Sequence, residues 1–145
     1  MEKKYVANKA FLVSRAGDVL LLRHASTPDH VNSVGLWDVP GGRMEAGEYP
    51  HGGLVREIFE ETSLTIDPTT ALPFHVDLWG VRGDIENEPI VGIFYEVVVD
   101  EANVQLSSEH DELLWWNPAD SIPDDTSQIV QRAIEVYRRY RQPSN

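Results

Sequence analysis

The order of the predicted elements indicates an α+β domain in which helices cover both faces of one mixed β-sheet. Apolar runs of strand length lie before and after a central segment with helical periodicity, and a second helical pattern closes the chain. The chain has 145 residues, which fits a single domain spanning residues 1–145. We therefore expect an α/β (α+β) sandwich with the sheet as its middle layer.

The predicted strands are apolar runs bounded by turn residues. They cover residues 5–14, 19–23, 36–39, 72–81, 90–99 and 113–116. The first two flank a polar turn at 15–18, which predicts a hairpin, and a polar turn at 82–89 joins the two long strands at 72–81 and 90–99. The polar segment 25–33 has the length of a substrate loop.

Two segments have helical patterns. Residues 50–62 begin with a proline, which is tolerated in a first turn, and Gly52 and Gly53 would let this helix approach a sheet. Residues 124–126 offer side chains for an N-cap. The helix that follows ends before Pro143, and its predicted apolar stripe is Ile129, Ala133, Val136 and Tyr140.

Composition limits the possible functions. There are no cysteines, which excludes disulfides and thiolate metal sites, so any metal must be a hard ion held by oxygen or nitrogen. The formal net charge of -12 disfavours a nucleic-acid partner. The sequence contains neither an apolar run of about 20 residues nor a signal-like N-terminus. We therefore expect a cytoplasmic protein with no membrane partner.

The central helix carries a cluster of carboxylates. At about 100° per residue, Glu57, Glu60 and Glu61 fall within one arc. The opposite side is predicted to hold Val55, Ile58, Phe59 and Thr62. Three like charges this close favour a bound cation, and oxygen ligands suit Mg²⁺, with Mn²⁺ as a possible substitute. The alternative is an ordinary solvated acidic helix face.

The segment before this helix favours a site. Gly41 and Gly42 supply a tight, permissive turn after an apolar strand, and Glu48 lies just before the helix. Arg56 can pair with Glu60 at i,i+4 or reach back to a carboxylate that precedes the helix. Either contact would hold the acidic face in position.

These residues resemble the signature of the Nudix hydrolase family, G-x5-E-x7-R-E-U-x-E-E-x-G-U, where U is a bulky aliphatic residue. Here five residues separate Gly42 from Glu48, seven more follow, and residues 56–64 (REIFEETSL) complete the pattern. The one departure is Ser63, which stands at the position of a glycine suited to a helix C-cap with positive φ. We expect a local structural effect there and retained activity.

The resemblance implies a Nudix-type α/β/α sandwich and Mg²⁺-dependent hydrolysis of a nucleoside diphosphate linked to another group, by water attack on phosphorus. It implies that Glu48 assists metal binding and that Arg56 orients the glutamates. The implied metal ligands are the Gly41 carbonyl, Glu57, Glu60 and Glu61.

The general base is left open between the helix and a later acidic segment. Glu57 and Glu61 are candidates on the helix, and Glu109 and Glu112 are candidates in a predicted loop before Trp115. For residues 109–112, the alternative is an ordinary acidic turn.

Four residues are candidates for substrate contact. Arg23 ends a strand near the expected site and matches phosphate geometry, and a surface arginine is the alternative. Trp37 and Trp79 offer stacking surfaces unless they belong to the core. Asn117 can contact a base edge. The five histidines have no ligand spacing and are interpreted as surface or core residues.

The prediction of the substrate class depends on two residue types that are absent after the signature. Residues 77–81 lack the proline common in family members that act on ADP-ribose, and residues 82–84 lack the tyrosine common in those for dinucleoside polyphosphates. These absences favour a small-molecule nucleotide of the (d)NTP class, including oxidised (d)NTPs. ADP-ribose or a nucleotide sugar is the alternative substrate, and an inactive nucleotide-binding sensor is the alternative of another class. Both a monomer and a homodimer are compatible with the sequence.

Overall fold

A computed structural model describes residues 5–28, 33–80, 89–100 and 103–142. Within them the chain forms seven strands, two α-helices and a short 3-10 helix at Pro68–Thr70. The elements are β1 (Tyr5–Val13), β2 (Val19–His24), β3 (Trp37–Asp38), β4 (Gly41–Arg43), α1 (Pro50–Thr62), β5 (Leu72–Gly80), β6 (Pro89–Val98), β7 (His110–Trp116) and α2 (Gln128–Tyr140). The predicted substrate loop and the predicted turn at 82–89 lie partly outside the described residues.

The sheet is mixed, and β1 is at its centre. β1 runs parallel to β6 over its whole length, from Tyr5 beside Ile90 to Val13 beside Val98. β5 pairs antiparallel with β6 at one edge, while β2 pairs antiparallel with β3 and β7 on the other side. The first half of β1 pairs antiparallel with β4, so the glycine-rich segment lies directly beside the central strand.

Two hydrophobic cores lie on opposite faces of this sheet, which confirms the predicted sandwich. Alternate residues of a strand face opposite sides, so Phe11 and Val13 pack towards α2 while Ala10 and Leu12 pack towards α1. All four are buried, because a strand in the middle layer is covered on both faces. In the described part of the chain, neither helix is long and apolar enough to cross a membrane.

The details of α2 differ from the prediction. Its buried residues are Val130, Ala133, Ile134 and Tyr137, so only Ala133 of the predicted stripe belongs to the buried face. The N-cap residue is Ser127 and it makes no side-chain capping bond; the Thr126 hydroxyl instead donates to the Pro123 carbonyl. Helical spacing allows two adjacent stripes, and packing against the sheet selects one of them.

Three other local predictions were wrong. Residues 41–43 form β4 instead of a turn, because their backbone pairs with β1. Residues 110–112, predicted as a loop, belong to β7 and pair with the end of β2. Phe59 was placed on the buried side of α1 but is 55% exposed. The buried face of α1 is centred on Leu54 and Ile58, and Phe59 lies about 100° from Ile58 on a helix.

The helix α1 ends at the residue that departs from the family signature. Ser63 takes the left-handed conformation, with φ 63° and ψ 12°, and its N–H donates to the Phe59 carbonyl at 2.9 Å. The serine therefore keeps the glycine-type C-cap and accepts the steric cost of its Cβ.

We expect Ser63→Gly to raise the free energy of unfolding by about 0.5–1 kcal/mol. The left-handed conformation destabilises the folded state by about 1–2 kcal/mol when the residue is not glycine. Glycine also stabilises the unfolded chain by about 0.4–1 kcal/mol through its greater conformational freedom, so the net gain in stability is smaller. Urea unfolding measures this difference. Ser121→Gly is the matched control, because Ser121 is exposed and its φ is not positive, and it should lower stability. An equal loss in both variants would contradict the prediction.

Candidate active site

The two glycines of β4 bring backbone close to the acidic helix. Gly41 has φ 147°, and a Cβ there would overlap the carbonyl oxygen of Asn8 on β1. A Cβ on Gly42 would lie 2.6 Å from the Glu57 carboxyl group. Only glycine therefore lets β4 pair with β1 and still leave room for a carboxylate against its backbone.

Two of the three predicted helix carboxylates turn towards β4. Glu61 is only 6% exposed, and its Oε2 accepts a hydrogen bond from the Gly41 N–H at 2.9 Å. Burial raises the pKa of Glu61 to about 8, and the neighbouring Glu57 adds to this, while Lys9 and the Gly41 N–H oppose it. Burial also raises the pKa of Glu57. For both carboxylates, the nearby positive charges do not offset the effect of burial on the pKa.

Arg56 holds the acidic helix to the segment before it. Its Nε and Nη2 donate to the two oxygens of Glu48 at 2.7 and 2.9 Å, which is a bidentate pair. Its Nη1 contacts Glu57 at 3.1 Å and Glu60 at 3.2 Å. The guanidinium lowers the pKa of Glu48 to about 2. Both contacts predicted for Arg56, to Glu60 and to a carboxylate before the helix, are present.

A pocket of about 370 Å³ lies between β1, β4 and α1. Its described lining residues are Ala7, Lys9, His24, Gly41, Gly42, Arg43, Glu57, Glu61, Ile90 and Glu109. The structure thus brings together Gly41, Glu57, Glu61 and Glu109 from the predicted site. Glu60 is more exposed and is not among these residues; its contact is with Arg56.

A polar network at this pocket was not predicted from the sequence. Asp38 is 9% exposed, and its two oxygens contact Lys9 Nζ and His24 Nε2, each at 2.9 Å. Burial would raise the pKa of Asp38, but these two contacts outweigh it and hold the pKa well below its usual range. The available signal was Lys9 itself, a charged residue inside a predominantly apolar strand.

A second missed residue, His110, lies behind His24. It is 5% exposed, and its ring centre lies 5.0 Å from that of His24. Burial, together with His24, lowers the pKa of His110 to about 4, so the imidazole is neutral at physiological pH. The interpretation of the histidines as surface or core residues agrees with the burial of His110, and it did not predict that His24 lines the pocket.

Other predicted site residues lie elsewhere. Arg23 contacts Asp111 at 2.8 Å and Glu112 at 2.9 Å, and neither Arg23 nor Glu112 is among the described residues that line the pocket. Val19 and Leu21 pack in the core beneath α2 while Leu20 and Leu22 pack beneath α1. Strand alternation therefore places Arg23 on the α2 side of β2.

Two candidates for base contact, Trp37 and Asn117, are also separate from the pocket lining. Trp37 packs against the core beneath α2. The Asn117 side chain accepts a hydrogen bond from the Ala119 N–H at 2.9 Å, in the turn after β7. The backbone of Trp79 pairs with Ile90, and its side chain lies outside the described residues. Their contact with a base stays a prediction.

The carboxylate, imidazole and backbone carbonyl groups of the pocket are the ligands available to a cation. Within the described residues, no three carboxylate or imidazole groups are arranged to hold a metal by themselves. Mg²⁺ commonly uses one or two protein carboxylates and takes its other ligands from water and substrate phosphate. The buried carboxylate of Glu61 and the partly buried carboxylate of Glu57, both with raised pKa values, lie beside the backbone of Gly41 and Gly42 and fit that requirement. The residues present are therefore compatible with Mg²⁺.

The fold and this pocket define a class of protein, a mixed-sheet sandwich with a carboxylate helix packed against a glycine-rich strand. The chain belongs to the Nudix family, whose NUDIX domain model matches residues 4–140. The resemblance drawn from the signature is thereby confirmed.

Relatives support the same assignment. An RNA pyrophosphohydrolase of Azorhizobium caulinodans is 40% identical over 53 residues, which is 37% of this chain and 32% of the relative. A MutT-like protein of Streptomyces ambofaciens is 26% identical over 126 residues, 87% of this chain and 67% of the relative. The match thus spans about a third of the first relative's length and two thirds of the second's.

A solved structure shows the same fold. The MutT protein from Methanosarcina mazei Go1 superposes with a TM-score of 0.74 at 22% identity, covering 97% of this chain and 98% of that one. At this identity the likeness concerns the fold alone.

Proposed function

We propose that this protein is a Mg²⁺-dependent pyrophosphohydrolase that cleaves a nucleoside diphosphate linked to another group. The observation that carries the proposal is one pocket lined by two carboxylates, the buried Glu61 and the partly buried Glu57, together with the cationic side chain of Lys9. Carboxylates suit a cation, and the cation together with a lysine suits a diphosphate. Two relatives named RNA pyrophosphohydrolase and MutT-like support this reaction class.

Glu57, Glu61 and the Gly41 carbonyl would hold the cation, and Glu60 remains a further proposed ligand. When bound, Mg²⁺ (or Mn²⁺) supplies charge stabilisation at the phosphoryl oxygens and lowers the pKa of coordinated water. Glu48 and Arg56 keep α1 in register with β4, so they set the spacing between the two carboxylates and the glycine carbonyl.

Glu109 is the base candidate that the geometry favours. It lines the pocket and is close enough to Glu57 to raise that residue's pKa. Its backbone is held at the start of β7, where its carbonyl accepts a hydrogen bond from the Ala25 N–H at 2.8 Å. A carboxylate there can take a proton from an attacking water, while Glu61 is occupied by the Gly41 N–H. Glu57 is the second candidate.

We expect Glu109→Gln to lower kcat by about 10²–10⁴-fold, the usual contribution of a general base, with KM little changed. Glu112→Gln is the matched control, because Glu112 lies three residues further along and contacts Arg23 outside the pocket lining. The control should keep at least half of the activity. Steady-state kinetics with a nucleoside triphosphate measure both, and equal activity of the two variants would remove Glu109 from the mechanism.

The favoured substrates are (d)NTPs, including oxidised (d)NTPs, and the second candidates are ADP-ribose and nucleotide sugars. The support for this order is the absence of the proline and tyrosine signals from residues 77–84. A panel containing each class, assayed with Mg²⁺ for phosphate or pyrophosphate release, tests the proposal. Tight nucleotide binding without release from any member would favour the nucleotide-sensing alternative.

A further inference from the structure

A buried ion-pair network forms one side of the pocket, and its members come from three strands. Lys9 lies on β1, His24 ends β2, and Asp38 lies on β3. Lys9 Nζ contacts Oδ1 of Asp38 at 2.9 Å, and His24 Nε2 contacts Oδ2 at 2.9 Å. The Val39 N–H also donates to Oδ1, at 2.7 Å. One carboxylate is thus held by three neighbours.

The network has one side that faces the pocket and one side that faces the protein interior. Lys9 and His24 line the pocket, whereas Asp38 is not among the described lining residues. Asp38 therefore lies on the interior side of Lys9 and His24, and its carboxylate holds both side chains in place. Since β1 and β3 each pair with a neighbouring strand, the backbone positions of Lys9 and Asp38 are fixed by the sheet.

Stability alone is a weak reason for this arrangement. Lys9 is only 9% exposed, and taking an ammonium group out of water costs about as much as its attraction to a buried carboxylate returns. An apolar pair of similar size at these positions would serve the fold equally well. An anionic ligand in the pocket would interact with the buried ammonium group and would explain why a lysine is present there.

The ammonium group also has donors to spare. A lysine carries three N–H donors, and the contacts of Lys9 within the described residues account for one of them, to Asp38. The group lies in the same pocket as Glu57 and Glu61 and is close enough to Glu61 to affect its ionisation. Phosphate groups are the anions that bind between a lysine and a carboxylate-bound cation.

We propose that Lys9 binds a phosphate group of the substrate and that Asp38 is the positioning residue that aims Lys9 and His24 at it. The ligand class is a pyrophosphate group, free or within a nucleotide. The identity of the full substrate rests on the proposed function, but the binding of pyrophosphate itself does not.

The test compares a single and a double substitution by titration calorimetry with inorganic pyrophosphate in the presence of Mg²⁺. Lys9→Met should weaken binding at least tenfold. Lys9→Met combined with Asp38→Asn leaves no unpaired buried carboxylate and should fold well, yet bind as weakly as the single variant. Wild-type affinity in the double variant would overturn the proposal, because it would show that the pair is only structural.

Kinetics separate positioning from folding. Asp38→Asn should raise KM for a nucleoside triphosphate about tenfold with a smaller change in kcat, because Lys9 stays present but is no longer aimed. Asp100→Asn is the control, since Asp100 is an exposed carboxylate that contacts Arg15 and its substitution changes the net charge by the same amount and sign. A matching KM increase in that control would overturn the role of Asp38.

The two proposals fail in different ways. If wild-type protein hydrolyses nucleotides while Lys9→Met binds pyrophosphate normally, the inference about Lys9 is wrong and the proposed function stands. If binding of pyrophosphate depends on Lys9 but wild-type protein releases nothing from the nucleotide panel, the inference stands and the proposed function is wrong.

Discussion

Replacing Glu61 by glutamine is expected to lower kcat by about 10³-fold while the fold is retained. The substitution keeps the size of the side chain and an oxygen that can accept the Gly41 N–H, which lies 2.9 Å away. It removes the negative charge that would hold a cation at the phosphoryl group, and several kcal/mol of transition-state stabilisation correspond to about 10³ in rate. Turnover at saturating Mg²⁺, with circular dichroism as the fold check, measures the effect.

Glu61 also predicts how stability depends on pH. Its pKa in the folded protein is about 8, above the ordinary value of 4.5, so its contribution to stability is complete below pH 4.5 and is lost as pH rises through 8. The Tm of the metal-free protein should therefore decrease as the pH rises from 4.5 to 8. Because Mg²⁺ would bind the ionised form of the carboxylate, the proposed metal site predicts a larger increase in Tm on adding Mg²⁺ at pH 8.5 than at pH 6.

Glu61→Gln should remove most of this pH dependence and most of the effect of Mg²⁺ on Tm. Glu135→Gln on α2 is the control, because Glu135 is an exposed glutamate that contacts Arg138. It should leave activity and both Tm profiles unchanged. Near-normal turnover of Glu61→Gln at saturating Mg²⁺ would refute the role assigned to Glu61.

Replacing Arg56 by lysine is expected to lower kcat/KM by about 10–100-fold, the usual effect of losing a group that orients metal ligands. Lysine keeps the charge, but a single ammonium cannot reproduce the bidentate bond to Glu48 and the contacts to Glu57 and Glu60 together. The acidic helix would then lose its fixed distance from β4. Michaelis–Menten kinetics and Mg²⁺ titration measure the two consequences.

A double-mutant cycle identifies the contact responsible. Glu48→Gln alone should reduce kcat/KM similarly, and the combination with Arg56→Lys should cost much less than the sum of the two. Arg132→Lys is the control, since Arg132 contacts Asp77 in an exposed ion pair near α2. Additive effects in the cycle would mean that Arg56 and Glu48 act independently.

The acidic helix and its partners were predictable from local sequence because they depend on short-range spacing. The positions of Glu57, Glu60 and Arg56 within α1 follow from helical periodicity, and the bond from Arg56 to Glu48 spans only eight residues. The order of the elements along the chain and the two-sided core also follow from apolar runs, whereas the order of the strands within the sheet was not predicted. The prediction for α2 was less accurate, since adjacent stripes on a helix share residues and the sheet chooses between them.

The sequence is sufficient to identify the Nudix signature, the carboxylates of α1 and the departure at Ser63, because each depends on residues within one turn or one motif. The three-dimensional fold was needed to show that Glu61 is buried against Gly41, that Glu60 is not in the pocket lining, and that Glu109 and Glu112 lie in different surroundings. It alone brought Lys9, His24 and Asp38 together. Strand pairing determines these contacts. Because it joins segments that are distant in the sequence, no local spacing pattern predicts it.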